Sequence, residues 1–339
     1  MRVIDSDILQ ILEEKTIHWE NLEGKSVLVT GSTGLIGSLC VRALLALPQN
    51  VRILALVRNL EKAKALFGDK VQYLVGDIRQ IPDVEEPVDY IIHCAAVTTS
   101  KMMVDTPVET FDTALDGTRN MLVLAKEKKV ESIVYLSSME VYGRILAEQN
   151  PVTEEKMGYV DLSKPRSSYP EGKRACELLC TAYYHEYGVP VRIARLAQTF
   201  GAGIPLSDRR MSMQFARSAR EGEDIVLHTM GRSVSNFCYT VDAIRGVFFL
   251  LLNGENGEAY NICNDGESRT VREIAELVCE KVAGGTISVK FDIPEQNTFG
   301  YAPDTEMRLC SDKIRKLGWK PEVSMEEGYK RLAAYLGEE

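Results

Sequence analysis

The 339-residue sequence contains no Cys-x-x-Cys pair. Its eight cysteines (Cys40, Cys94, Cys176, Cys180, Cys238, Cys263, Cys279 and Cys310) are scattered, mostly within apolar runs. That distribution argues against a zinc site and for buried, reduced thiols, so no metal is expected. A basic stripe is missing too. The formal net charge is -9, which excludes a broad nucleic-acid surface while leaving single Arg or Lys residues free to grip one small anion. The first 25 residues, "MRVIDSDILQILEEKTIHWENLEGK", are amphipathic and acidic, with neither a basic start nor a continuous apolar core. They read as neither signal peptide nor membrane span, so no membrane partner and a cytoplasmic location are expected. Internal repeats and low-complexity segments are absent. What is present is an ordinary globular composition, 45% hydrophobic and 26% charged, long enough for a large α/β domain with an added lobe.

Strand-like runs alternate with helix-length segments. "SVLVTG" (26–31), "RILALV" (52–57), "VQYLVGD" (71–77), "VDYIIHCAA" (88–96), "SIVYLSS" (132–138) and "VRIARLA" (191–197) are short, β-rich and largely apolar. Strands of that kind belong to a parallel sheet covered by helices on both faces. Helical periodicity marks 105–128 and 170–187. Beyond residue 199 the alternation stops, and helices are expected at 270–282 and 325–336. The expected fold is α/β: a Rossmann-type doubly wound parallel sheet with a smaller, partly interleaved C-terminal substrate lobe. The dinucleotide-binding domain is placed at 1–198, with 232–262 returning to it. The substrate lobe takes 199–231 and 263–339.

The segment "TGSTGLIG" (30–37) directly follows the first strand and opens a helix. In that context Gly31 permits the tight turn, Gly34 lets a pyrophosphate approach the backbone, and Gly37 lets the helix pack on the sheet. The helix N-terminus offers free N–H groups to phosphate. The second strand ends at Arg58, where an acidic residue would usually take the ribose hydroxyls. A cation there suits the 2′-phosphate of NADP, although an exposed Arg lying over the adenine would explain it as well. Asp77, after the third strand, can accept from the adenine amino group or serve as a plain turn residue.

"YPEGK" places Tyr169 and Lys173 four residues apart at a helix start, hence on one face, with Pro170 suited to the first turn. A phenol with an ordinary pKa near ~10 is a poor base at neutral pH. A neighbouring ammonium is expected to favour the phenolate, so Tyr169 can take a hydroxyl proton while a nicotinamide takes hydride. "SSMEVYG" (137–143) lies at the end of the fifth strand, on the ligand side of such sheets. Ser138 is positioned to align the substrate oxygen. Glu140 is either a general acid/base or a salt-bridging loop residue.

These motifs together resemble the extended short-chain dehydrogenases that modify nucleotide sugars, over essentially residues 24–335. "HCAA" (93–96), "GTRNML" (117–122), "SSMEVYG", "YPEGKR", "RLAQTFG" (195–201), "FCYTVDAI" (237–244), "AYNICN" (259–264) and "LGWKP" (317–321) follow in that family's order. Within it, "PRSSYPEGKRACE" (165–177) is most similar to the UDP-glucuronate decarboxylases. The resemblance implies that Ser138, Glu140, Tyr169 and Lys173 are catalytic. It implies NAD as cofactor, whereas Arg58 suggests NADP. Cofactor contacts are expected from Gly31, Thr33, Gly34, Leu35, Ile36, Gly37, Arg58, Asp77, Ile78, Ala95, Ala96, Tyr169 and Lys173. Substrate contacts are expected from Thr98, Ser138, Gln198 and Arg210, with Gln198 where the family usually has Asn.

The chain also departs from the family pattern. Ser235 stands where an Arg commonly precedes the "FCYTVDAI" element, and a second common Arg is replaced near Tyr301. Ala114 replaces an Asn of the proton relay, and Met139 replaces the acid of 4,6-dehydratases. Met139 argues against 4,6-dehydration. The missing Arg weakens a decarboxylase assignment unless Arg209, Arg210, Arg232 or Arg269 compensates. Every candidate reaction begins with oxidation of the sugar's 4-hydroxyl. Decarboxylation, 4-epimerisation or release by an NADPH-dependent reductase can follow. A non-catalytic cofactor sensor is the remaining alternative. The resemblance further implies a homodimer built on 105–128 and 170–187.

Overall fold

The computed structural model describes residues 1–294 and 304–338. The chain begins with α1 (Val3–Leu12), β1 (Ser26–Thr30), α2 (Leu35–Ala46), β2 (Arg52–Val57), α3 (Leu60–Phe67), β3 (Gln72–Val75) and β4 (Tyr90–His93). It continues through α4 (Ser100–Asp105), α5 (Pro107–Lys128), β5 (Ser132–Ser138), α6 (Ser168–Tyr187), β6 (Val191–Leu196) and β7 (Gln198–Phe200). Then come α7 (Met211–Glu221), β8 (Ile225–Leu227), β9 (Val234–Ser235), β10 (Phe237–Tyr239), α8 (Thr240–Asn253) and β11 (Ala259–Ile262). It closes with β12 (Arg269–Thr270), α9 (Val271–Leu277), β13 (Val289–Phe291), α10 (Asp312–Leu317) and α11 (Met325–Tyr335).

Seven strands form one sheet in the order β11-β6-β5-β4-β1-β2-β3, and every pairing in it is parallel. This is the Rossmann order with β11 added at one edge. Successive strand residues serve opposite faces. Val27 and Val29 of β1 enter one core with α1, α2 and α8. Leu28 enters the other, with α5 and α6. Burial on both faces explains why the strands read as unbroken apolar runs rather than alternating ones.

Strands β2 and β5 match the expected bounds, while β3 and β4 are shorter because the chain turns away once the ladder ends. The expected helix over 105–128 is interrupted. Thr106, at φ -132 and ψ 61, separates α4 from α5, because the residue before a proline is pushed out of the helical region. Helix α6 starts at Ser168 and ends on Gly188, whose left-handed backbone closes the last turn. The segment expected as one helix over 270–282 is α9 followed by a π-helical turn at 278–282.

Helix α8 is apolar almost all round and buried to match. Helix α1 is tied to it and to α11 by buried charge. Asp7 accepts from the Tyr239 hydroxyl and the Arg331 guanidinium, both at 2.8 Å. Buried Arg245 pairs with Glu14 and with Asp242. Outside the main sheet, the C-terminal lobe holds two-stranded ladders pairing β9 with β12 and β8 with β13. Among the described residues no helix is long and apolar enough to cross a membrane.

Candidate active site

The glycine turn sits between β1 and α2. Gly31 has φ +63, and a Cβ there would lie 2.8 Å from the Ala95 backbone nitrogen. A Cβ on Gly37 would meet the Gly31 carbonyl at 2.3 Å, so the helix reaches the turn only through glycine. Gly34 is exposed and forms the N-cap of α2 without a side-chain cap. The free first-turn N–H groups beside Gly34, next to Thr33, Leu35 and Ile36, make a cradle into which a phosphate fits. Ser32 adds a buried hydroxyl with no hydrogen-bond partner, a second sign that the turn is built for a polar ligand.

Arg58 stands exposed just beyond β2. Asp77 is half-buried and its carboxylate accepts from the Arg79 backbone at 2.9 Å, so it serves as a turn residue whatever else it contacts. Ile78 is buried against Gly117, on which a Cβ would come within 2.8 Å of its side chain. Ala95 donates its N–H to the Thr30 hydroxyl at 3.1 Å, and Ala96 follows it in the loop beyond β4. Thr98 lies exposed farther along that loop.

Tyr169 and Lys173, the candidate proton-transfer pair, lie beside the end of β5. Lys173 is buried and donates to the Leu136 carbonyl at 2.6 Å. Its Nζ is 5.9 Å from the centre of the Tyr169 ring. Burial lowers the Lys173 pKa. Behind it, burial first and then the Lys173 charge hold His93 down to about 3. His93 is therefore a neutral spacer, bonded to the Thr30 hydroxyl at 2.7 Å. Ser138 accepts from the Glu140 N–H at 3.2 Å and lies close enough to the Tyr169 phenol to lower its pKa.

The Tyr169 pKa departs from expectation. Burial pushes it up to about 12 and the Glu140 charge adds to the rise, while the Ser138 hydrogen bond and the Arg166 guanidinium oppose it. Two cations stand at similar distances from the phenol ring: Lys173, whose ammonium also donates to the Leu136 carbonyl, and Arg166, whose charge opposes the rise. Arg166 bonds Glu140 at 2.8 Å and lies 5.6 Å from the Tyr169 ring centre. Arg166 was not singled out from the sequence, although it stands three residues before Tyr169 in the decarboxylase-like segment.

Beneath this surface lies a buried polar network. Arg195 grips Glu177 with Nε at 3.0 Å and Nη2 at 2.6 Å, and bonds the Tyr142 hydroxyl at 3.1 Å. Glu177 accepts from Ser137, and Tyr142 donates to Asn261 at 2.6 Å. Four motif segments (137–143, 165–177, 195–201 and 259–264) thus meet through hydrogen bonds that fix the β5 end against α6 and β6. Arg174 adds to this clamp by donating to the carbonyls of Val141 and Gly158 at 2.6 and 2.8 Å.

A cleft of about 360 Å³ opens on the lobe side of Met139, which adjoins Ser138 and Glu140 in sequence, and is lined by Met139, Gln198, Arg210, Ser235, Phe237 and Met307 among others. It gathers both Gln198 and Arg210, the latter held by Asp208 at 2.9 Å. Arg209 and Arg232 are exposed and do not line it. Arg269 faces Ser235 across the β9–β12 ladder. Ala114 is buried beside Gly172 and offers no proton relay. Tyr301 lies outside the described residues.

An all-parallel Rossmann sheet, a glycine turn under α2 and a Tyr-x-x-x-Lys pair beside β5 define an NAD(P)-dependent oxidoreductase of the short-chain type. More narrowly, the chain belongs to the NAD dependent epimerase/dehydratase family, whose model matches residues 27–263. It is 32% identical over 328 residues to UDP-glucuronic acid decarboxylase 1 of Danio rerio, covering 93% of this chain and 73% of that one. It is 33% identical over 311 residues to UDP-glucuronic acid decarboxylase 6 of Arabidopsis thaliana, covering 89% and 86%. Among solved structures, dTDP-glucose 4,6-dehydratase from Streptomyces venezuelae with NAD and TYD bound superposes at TM-score 0.74, with 27% identity and coverage of 92% and 97%. UDP-glucose 4-epimerase from Thermotoga maritima, at TM-score 0.79 and 22% identity over 92% and 99%, shares the fold.

Proposed function

We propose that this enzyme acts on a nucleotide-linked sugar by oxidising its 4-hydroxyl, and that the 4-keto sugar then loses carbon dioxide as in UDP-glucuronate decarboxylation. The observation that carries this reading is the convergence of Tyr169, Ser138 and Glu140 at the end of β5. There Ser138, which caps the turn that carries Glu140, and Glu140 both stand near enough to shift the Tyr169 pKa, in opposite directions. When bound, NAD(P) accepts hydride from the sugar and later returns it. Ser138 holds the 4-oxygen, and Tyr169 takes its proton. A ketone at carbon 4 is β to a carboxylate on carbon 5, so the carbon–carbon bond can break with its electrons passing into an enolate. Tyr169 is placed to protonate that oxygen, and Glu140 to exchange a proton at carbon 5.

The glycine cradle of α2 would hold the pyrophosphate of the cofactor, with Ala95, Ala96 and Ile78 along its adenosine and nicotinamide halves. Exposed Arg58 favours the 2′-phosphate of NADP. Substrate contacts would fall to Gln198 and Arg210 in the cleft and to Thr98, exposed in the loop beyond β4. Met139, buried where a dehydratase acid would stand, accepts only from Ser235, at 3.9 Å, and supports decarboxylation over 4,6-dehydration. A homodimer is supported by the exposed Val108 on α5 and Leu178 on α6, and sedimentation tests it.

The deciding experiment incubates the protein and either cofactor with UDP-, dTDP-, CDP- and GDP-sugars, including uronates, and weighs the products. Loss of one carbon dioxide supports the proposal. An unchanged mass with altered retention makes the enzyme an epimerase instead, and no product from any donor overturns the substrate class.

A further inference from the structure

We propose that Arg166 is a positioning residue that sets the protonation of Tyr169 by neutralising Glu140 and by presenting its guanidinium to the phenol ring. The proposal rests on reading Tyr169 as the proton-transfer group, but not on the identity of the sugar.

The geometry has three parts. The Arg166 Nη2 donates to Glu140 Oε1 at 2.8 Å. The same guanidinium lies 5.6 Å from the Tyr169 ring centre. Both members of the pair are held in place. Glu140 sits in a tight turn (Met139–Tyr142) that Ser138 caps and Arg174 clamps to α6. Arg166 occupies the short 3-10 turn Pro165–Ser167 that leads directly into α6 and Tyr169. The Ser167 hydroxyl anchors that turn to the Asp161 carbonyl at 2.6 Å.

The charged and polar groups facing the phenol are few. Glu140 and Ser138 come from the β5 end, Arg166 from the turn before α6, and Lys173 from α6 itself. Lys173 gives its hydrogen bond to the Leu136 carbonyl and is backed by neutral His93. An unpaired Glu140 carboxylate would oppose phenolate formation. It would also repel a carboxylate-bearing sugar. Pairing with Arg166 offsets part of both penalties, although the Glu140 charge still raises the Tyr169 pKa. Arg166 thus adds a second cation beside Tyr169, at a ring distance similar to that of Lys173.

The sign pattern of three substitutions separates this role from a structural one. Removing the cation in Arg166→Gln leaves the anion unpaired, so Tyr169 titrates higher. Removing the anion in Glu140→Gln leaves the cation unpaired, so Tyr169 titrates lower. Each shift is expected at roughly half to one pH unit, because both side chains are partly solvated and screened. The double variant returns close to wild type, and Arg166→Lys stays within a few tenths of it.

The readout is the tyrosinate difference spectrum of the NAD-loaded enzyme across the alkaline range, each variant measured against its matched Tyr169→Phe background. Circular dichroism and NAD affinity verify folding, and Arg166→Lys serves as the conservative control. Shifts of opposite sign that cancel in the double variant support the proposal. Shifts of the same sign, additive loss in the double variant, or a Glu140→Gln enzyme titrating no lower than wild type overturns it. No sugar enters this titration. Failure of the nucleotide-sugar panel therefore counts against the proposed function alone, and failure of the sign pattern against Arg166 alone.

Discussion

Arg269 on β12 lies directly opposite Ser235 on β9 in an antiparallel pair. Side chains at directly opposed positions leave the same face of a ladder, and Ser235 lines the cleft. A positive charge thus stands one strand away from position 235, although Arg269 does not itself line the cleft and Glu267 accepts from its Nε at 3.1 Å. Arg269→Ala should raise the KM for a nucleotide sugar about tenfold with little change in kcat, as expected for loss of one charged hydrogen bond. Ser235→Arg in that background should recover most of the loss. Steady-state kinetics with the donor found by the product panel would check both.

Tyr169→Phe should lower kcat by roughly a hundredfold to ten-thousandfold, the usual weight of a positioned acid/base, while NAD binding measured by calorimetry changes little. Loss of cofactor affinity in step with activity would show that the phenol is a binding group and not the proton carrier.

Coenzyme preference should follow Arg58. Arg58→Asp should shift the ratio of NADP to NAD affinity toward NAD by about tenfold or more, since a carboxylate repels a 2′-phosphate and accepts from ribose hydroxyls. Equal ratios in the two proteins would place the adenosine end elsewhere.

The Glu177–Arg195 pair is nearly dry, with side-chain exposures of 10% and 6%. Glu177→Gln leaves a buried guanidinium short of its counter-ion and should cost about 3–5 kcal/mol in a urea melt. Because the pair holds the β5 end, kcat should fall in the folded variant as well.

His93 links stability to acid. Its folded pKa, about 3, lies below the ordinary histidine value of 6.5, so the native state holds it neutral while the unfolded chain takes up a proton. Its contribution is complete above pH ~6.5 and is lost progressively as pH falls toward ~3. Between pH ~6.5 and ~5 the loss should be roughly 2 kcal/mol. Urea melts of His93→Asn should show a flatter acid limb over that interval. An unchanged slope would mean that other groups carry it.

Much of this was legible in one dimension because the features are local. Gly31, Gly34 and Gly37 announce themselves by spacing after a strand. Tyr169 and Lys173 do so by a four-residue interval at a helix start, and β2 and β5 by unbroken apolar runs between turns. Steric limits on one backbone turn and the pitch of one helix suffice for these. Thr106 could have been read as a break as well, since it precedes Pro107.

Tertiary structure decided the rest, because charge acts through space and not along the chain. Which cations face Tyr169 depended on how the turn before α6 folds over the β5 end. That brought Arg166 beside the phenol, in addition to Lys173. Whether a cation could serve for Ser235 depended on the register of two short strands from different parts of the lobe. The motif residues Tyr142, Glu177, Arg195 and Asn261 looked like separate signatures, yet they form one buried hydrogen-bonded chain from Glu177 through Arg195 and Tyr142 to Asn261. Sequence by itself determined the class of fold and pointed to Tyr169 and Lys173 as the candidate proton-transfer pair. The electrostatic setting in which that pair works arose only when distant segments were brought within a few ångströms, where low dielectric makes their charges count.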